Sequence, residues 1–217
     1  MIRFKNVSKH FKTQKHKKII LDRVNFEFDG NYSYGVLGVN GAGKSTTLRM
    51  IAGTMLPNSG TITKNIRVSW PLGFAAGFNP LLTGKENIQF VARAYGEDVV
   101  RVLHFVEEFA EIGDYINAPV KTYSSGMTAR LAFGLSMAIE FECYLVDEIT
   151  AVGDARFQKR CKVAFANRRK TANVIMVSHS MKTIKDFCDR GVLLVDGRMM
   201  LYEDVEQAIA AYYRLNR

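Results

Sequence analysis

The chain is short of the features that would hold it in a membrane or cross-link it. No uninterrupted apolar run reaches the roughly 18 residues that a transmembrane helix needs. The longest, Leu131 to Val146, is broken by Glu140 and Glu142. The amino terminus, MIRFKNVSKHF, alternates like a strand and lacks the apolar stretch of a secretion signal, so the expected location is the cytosolic side of the membrane. Cysteine is scarce too. Cys143, Cys161 and Cys188 lie far apart without metal-ligand spacing, and an odd number in a cytosolic chain reads as reduced thiols filling space. Internal repeats and low-complexity linkers are also missing.

What is present is ordinary in bulk and uneven in detail. With 217 residues, 47% apolar and 24% charged, the chain can bury one domain carrying a small subdomain. The net charge of +9 is concentrated: residues 1–23 and residues 156–170 each carry +7, and the remainder nets −5. Two local clusters argue against a uniformly basic nucleic-acid binder, and no nucleic-acid partner is expected. Each cluster reads either as a solvated face or as a contact for anionic lipid headgroups.

Periodicity predicts strands at 2–7, 23–28 and 32–37, with the hydrophilic KTQKHKK (12–18) as a hairpin loop. The third strand enters a Gly-rich loop, followed by a helix over 44–52 that Gly53 ends. A short strand falls near 60–63, and 70–80 (WPLGFAAGFNP) has little periodicity. Thr83 and Glu86 form a capping-box pattern that starts a helix to about Tyr95; further helices are predicted over 98–112 and 125–141. Cys143–Asp147 reads as a buried strand ending in acid. A helix over 156–165, a strand over 174–178, a helix over 181–187, a hairpin over 192–202 and a last helix from Asp204 complete the chain. The pattern is an α/β unit with an inserted helical subdomain.

Three motifs carry chemistry. Gly38-Val39-Asn40-Gly41-Ala42-Gly43-Lys44-Ser45, followed by Thr46, has the spacing of a phosphate-binding loop and lies between a strand and a helix. Its glycines let backbone N–H groups curl around phosphates, and the helix N-terminus adds its dipole. Lys44 is placed to reach the β- and γ-phosphates of a nucleoside triphosphate, and Ser45 to hold Mg²⁺. Asp147, at the end of a buried strand, suits the second position on Mg²⁺, and Glu148 beside it can polarise an attacking water as general base. Tyr123-Ser124-Ser125-Gly126-Met127 precedes a long helix and lies 21 residues before Asp147; alone it is an N-cap.

In that order, with His179 at the end of the 174–178 strand, these motifs resemble the ATP-binding-cassette ATPases, whose signature usually reads Leu-Ser-Gly-Gly-Gln. The resemblance implies a P-loop ATPase core (a mostly parallel sheet flanked by helices, with an antiparallel N-terminal β-subdomain) over 1–70 and 142–217, and an inserted helical subdomain over about 71–141. It implies that His179 senses the γ-phosphate and that Phe11, after Asn6-Val-Ser-Lys-His, stacks on adenine; core packing is the alternative for Phe11. Ala151–Asp154 takes the place of the loop that faces the opposite subunit. The resemblance further implies a homodimer sandwiching two ATP molecules, with Ser124, Ser125 and Gly126 of one subunit closing the other's site.

Departures narrow the family. Ser125 and Met127 replace the usual glycine and glutamine of the signature, and Leu72–Asn87 has no glutamine near Phe74, where the family carries one. Tyr-Ser-Ser-Gly-Met-x-x-Arg-Leu-Ala-Phe, Trp-Pro-Leu-Gly-Phe and Leu-Thr-Gly-Lys-Glu-Asn are similar to the ATP-binding subunits of bacterial polysaccharide exporters, and the length to the short capsule-type subunits without an appended carbohydrate-binding domain. The implied function is ATP hydrolysis that drives capsular polysaccharide across the inner membrane, from a peripheral position on its cytoplasmic face. Separate membrane-embedded permease subunits would dock near Trp70–Asn87. Export of lipid-linked O-antigen or teichoic acid is the alternative cargo, and a non-transport cassette acting on nucleic acid or ribosomes the alternative class.

Overall fold

The computed structural model describes residues 1–12, 17–73, 77–148 and 154–215. In chain order the elements are β1 (Ile2–Lys12), β2 (Lys17–Phe28), β3 (Tyr34–Leu37), α1 (Lys44–Ala52), β4 (Ser59–Lys64), β5 (Val68–Pro71), α2 (Gly84–Ala94), α3 (Val99–Ala110), α4 (Ser125–Ala138), β6 (Cys143–Asp147), α5 (Ala155–Arg168), β7 (Asn173–Val177), α6 (Met181–Phe187), β8 (Arg190–Val195), β9 (Arg198–Tyr202) and α7 (Val205–Leu215). They form two compact units. The first comprises Met1–Pro71, Phe141–Ile149 and Thr171–Arg217, and the second Leu72–Glu140 and Thr150–Lys170.

The first unit holds two sheets. A three-stranded antiparallel sheet has the order β2-β1-β4, and a six-stranded sheet the order β5-β6-β7-β3-β8-β9, parallel except for the final β8–β9 hairpin. The mostly parallel sheet and the separate antiparallel one both match the sequence reading. β3, β6 and β7 are short and almost wholly buried, as strands covered on both faces must be. The hydrogen bond from Asp22 N–H to Gly197 O (2.9 Å) ties the two sheets together. Phe4, Phe28 and Tyr34 anchor the core, with the Phe28 and Tyr34 rings edge to face at 5.0 Å.

Ser33 fixes where β3 starts. Fully buried, it donates its N–H to Asp189 Oδ2 (2.8 Å) and accepts the Val174 N–H on Oγ (3.1 Å), so it joins the starts of β7 and β8 to that of β3. Ser33→Ala leaves the Val174 N–H without a partner. It is expected to cost about 1–3 kcal/mol, read as a lowered urea midpoint at unchanged slope. Ser33 precedes β3 while the phosphate loop follows it, so nucleotide affinity should not change.

In the second unit Phe109 stacks on Phe133 (5.9 Å) and meets Phe157 edge on (5.5 Å), joining α3, α4 and α5. The Thr83 capping box is complete: its hydroxyl accepts the Glu86 N–H, and Glu86 Oε2 accepts the Thr83 N–H. The Thr83 N–H, and its hydroxyl donating to the same carboxylate (2.9 Å), hold the Glu86 carboxyl below its usual range. The basic face of α5 is less open than its sequence suggests. Arg156 and Arg160 both pair with Glu111, and Arg168 pairs with Glu140. All three cysteines are buried and free, and burial pushes the Cys143 and Cys161 thiols up to about 12, so they stay protonated and inert. Among the described residues no helix is long and apolar enough to cross a membrane.

Candidate nucleotide site

The carboxyl ends of β3, β6 and β7 lie side by side in the parallel sheet, the position where open α/β sheets bind ligands. A cleft of about 350 Å³ opens there, entirely within the first unit. Its lining includes Phe11, Asn40, Gly41, Gly43, Lys44, Ser45, Thr46, Asp147, Glu148 and His179. The sequence spread these residues over most of the chain, and the fold gathers them.

The loop from Gly38 to Gly43 takes its shape from its glycines. Gly41 (φ 78°) and Gly43 (φ 105°) are left-handed, and Gly43 also packs directly on Ile20 Cγ2 in β2, where a side chain would collide. α1 then begins at Lys44 with no side-chain cap, which leaves its first N–H groups for a ligand. The Lys44 ammonium donates to Gly38 O (2.6 Å) and Val39 O (3.1 Å). Burial lowers its pKa, and the Asp147 and Glu148 carboxylates partly offset that shift. Val39 and Ala42 line a neighbouring cavity on the outer side of the loop.

Ser45 Oγ donates to Asp147 Oδ1 at 2.9 Å, a contact between residues 102 positions apart. Two hard oxygen donors therefore meet beside Lys44. One carboxylate and one hydroxyl suit Mg²⁺, which completes its shell with water and substrate phosphates. Among the described residues, no group of three or more His, Cys, Asp and Glu side chains is placed to cage a metal.

Glu148 stands in a left-handed conformation (φ 57°) that a glutamate adopts only at a cost of about 1–3 kcal/mol. Its N–H bonds to Val177 O (2.9 Å), the last link of the β6–β7 ladder, so the left-handed turn comes directly after the strand and the carboxylate lies at the cleft. His179 Nε2 lies 3.3 Å from Glu148 Oε1. Phe11 is 42% exposed, with the Lys9 ammonium 5.2 Å from its ring centre, so the core-packing alternative for this ring does not hold.

Ser124, Ser125 and Gly126 belong to the second unit. Ser124 caps α4 by accepting the Met127 N–H (3.2 Å), and Tyr123 fastens the preceding turn by donating to Tyr115 O (2.6 Å). Burial raises the Tyr123 pKa. Asp154 caps α5 and pairs with Arg130 (2.8 Å); the rest of the 151–154 loop, like Phe74, falls outside the described residues. Sequence reasoning missed Lys18, Ile20 and Val177 as lining residues. The signal for the first two is the β1–β2 register, which sets Phe11 opposite Lys18.

Comparison with known proteins agrees with this geometry. The profile of the ABC transporter family matches residues 21–151. The chain is 47% identical to the ATP-binding protein BexA of Haemophilus influenzae, covering 98% of each chain. It is 44% identical to the capsule polysaccharide export ATP-binding protein CtrD of Neisseria meningitidis serogroup B, covering 99% of this chain and 100% of that one. Among solved structures, the dimeric post-hydrolysis form of the ATP-binding cassette MJ0796, bound to ADP and Pi, superposes with a TM-score of 0.72. It is 22% identical and covers 94% of this chain and 99% of its own, a likeness of fold.

Proposed function

This chain belongs to the ABC transporter family, and we propose that it is the ATP-hydrolysing subunit that drives export of capsular polysaccharide across the bacterial inner membrane. The observation that carries the chemistry is the Ser45–Asp147 contact beside Lys44 and Glu148, which joins the phosphate loop to an acid pair at one cleft. The near full-length identity to CtrD supports the cargo class.

The proposed roles follow from the chemistry of each group. The loop N–H groups from Gly38 to Thr46 and the Lys44 ammonium bind the phosphates, and Phe11 carries the adenine. Ser45 and Asp147 would hold Mg²⁺, which when bound neutralises charge developing on the transferred phosphoryl group. Glu148 accepts the proton of the attacking water, and His179 holds the carboxylate and the γ-phosphate in place. The capped start of α4, with Ser124, Ser125 and Gly126, offers N–H groups to the γ-phosphate of a second copy's ATP, giving a homodimer with two shared sites. The first unit performs the chemistry, and the second, most of it the subdomain expected over about 71–141, transmits it.

Permease docking near Trp70–Asn87 is supported by exposed Leu81, with exposed Phe90 on the adjoining α2. The working position is peripheral, on the cytoplasmic face of the inner membrane. In cells that carry the cognate permease but lack their own export ATPase, this chain should restore surface capsule, and Lys44→Ala should not. Restored O-antigen without capsule would reassign the cargo, and no restored glycan would end the export reading.

A further inference from the structure

β2 runs along the phosphate loop and sets alternate side chains on alternate glycines. Ile20 is buried and packs on Gly43. Two residues earlier, on the same face of the strand, the Lys18 ammonium lies 2.8 Å from where a Cβ on Gly41 would stand. The antiparallel register also pairs Lys18 directly with Phe11, which puts their Cβ atoms roughly 5 Å apart. One side chain thus spans the gap between the exposed aromatic ring and the crown of the loop.

Lys18 lines both the 350 Å³ cleft and the adjacent cavity of about 530 Å³ walled by Gly38–Ala42, Leu194 and Tyr212. Two other cations near the cleft are engaged: Lys44 is held by two loop carbonyls, and Lys9 donates to Leu56 O (2.8 Å). Lys18 is exposed, and among the described residues it has no carboxylate within ion-pairing distance. An ammonium set against a glycine loop whose N–H groups are themselves partly positive raises the local potential for an anion. A phosphate chain leading from a base on Phe11 to Lys44 would meet it on the way.

We infer that Lys18 is a second nucleotide-binding cation, which contacts the polyphosphate chain from the outer edge of the loop independently of Lys44. This rests on the reading of the cleft as an ATP site and adds to it a residue that the motifs do not include. The contact is charge-assisted and solvent-accessible, so its loss should weaken binding by about tenfold.

Titration calorimetry with ATP, ADP and AMP on purified wild-type, Lys18→Ala, Lys18→Arg, Lys17→Ala and Lys44→Ala chains tests it. Lys18→Ala should raise the Kd for ATP and ADP about tenfold and that for AMP much less, and raised salt should shrink the difference. Lys18→Arg should retain most of the affinity. Lys17 neighbours Lys18 but points to the opposite face, so Lys17→Ala should bind like wild type. Unchanged ATP and ADP binding in Lys18→Ala, while Lys44→Ala loses it, would overturn the inference and leave the ATP site standing. Equal losses in Lys17→Ala and Lys18→Ala would overturn it in favour of bulk charge. A wild-type chain that binds none of the three nucleotides would overturn both readings.

Discussion

Glu148→Gln is expected to bind ATP within about a factor of three of wild type and to hydrolyse it at least about a hundredfold more slowly. The amide keeps the size of the carboxylate but cannot take a proton from water. The backbone at the position does not depend on the charge. The left-handed turn (φ 57°) and the hydrogen bond from the Glu148 N–H to Val177 O are backbone features that glutamine retains. The hydrogen bonds of Lys44, Ser45 and Asp147 at the same cleft do not involve it. Steady-state phosphate release and equilibrium ATP binding, measured on one preparation, separate the two effects. Undiminished hydrolysis would remove Glu148 from the role of base. A parallel loss of binding would place it in the binding site instead.

How much of this was legible in the sequence depended on how local the cause was. The phosphate loop could be read because its glycines set the local backbone and Lys44 bonds to carbonyls within six residues, and the Thr83–Glu86 box because its bonds close within three residues. β1 and β2 run longer than the predicted strands. Their outer halves (SKHFK and KKII) are mostly exposed, with Ile20 the buried exception, and register shifts between Phe4 and Val7, Val7 and Lys9, and Lys9 and His10 erase the alternation. β5 was not anticipated. It is an edge strand that ends in Pro71, a residue that argues against a strand everywhere except at an edge. The helix predicted to reach 141 stops at Ala138, because an apolar run that passes from α4 into β6 has no periodicity to mark the change. The two arginines of α5 that close on Glu111 were invisible for a different reason: their partner is more than forty residues away. Lys18 belongs with them, since its place depends on a hairpin register and not on a motif.

Lys44→Ala carries the second large effect. The ammonium sits partly out of water, and burial lowers its pKa more than the Asp147 and Glu148 carboxylates raise it. In the empty chain the charge is therefore held at some cost. The folded chain binds this proton less tightly than the unfolded chain, so Lys44's contribution to stability improves as pH rises through its lowered folded value toward the ordinary lysine range. Lys44→Ala should accordingly leave the nucleotide-free unfolding free energy within about 0.5 kcal/mol of wild type at neutral pH. Of the two carbonyls it served, Val39 O keeps the Ala42 N–H (3.1 Å), and Gly38 lines the neighbouring cavity, which water can enter. With ATP present the balance reverses, because the phosphates supply the negative charge that the carboxylates only partly provide. The substitution should weaken ATP binding about a hundredfold or more and abolish the rise in melting temperature that ATP gives wild type. The same argument sets a pH dependence. Wild-type affinity should fall as pH rises through the lowered Lys44 value, earlier than an exposed lysine would cause, and Lys44→Ala should show no such fall. A thermal-shift series across alkaline pH, with and without ATP, measures both. A variant that loses stability without nucleotide would make Lys44 a structural strut of the loop, and one that keeps its ATP shift would take Lys44 out of the phosphate site.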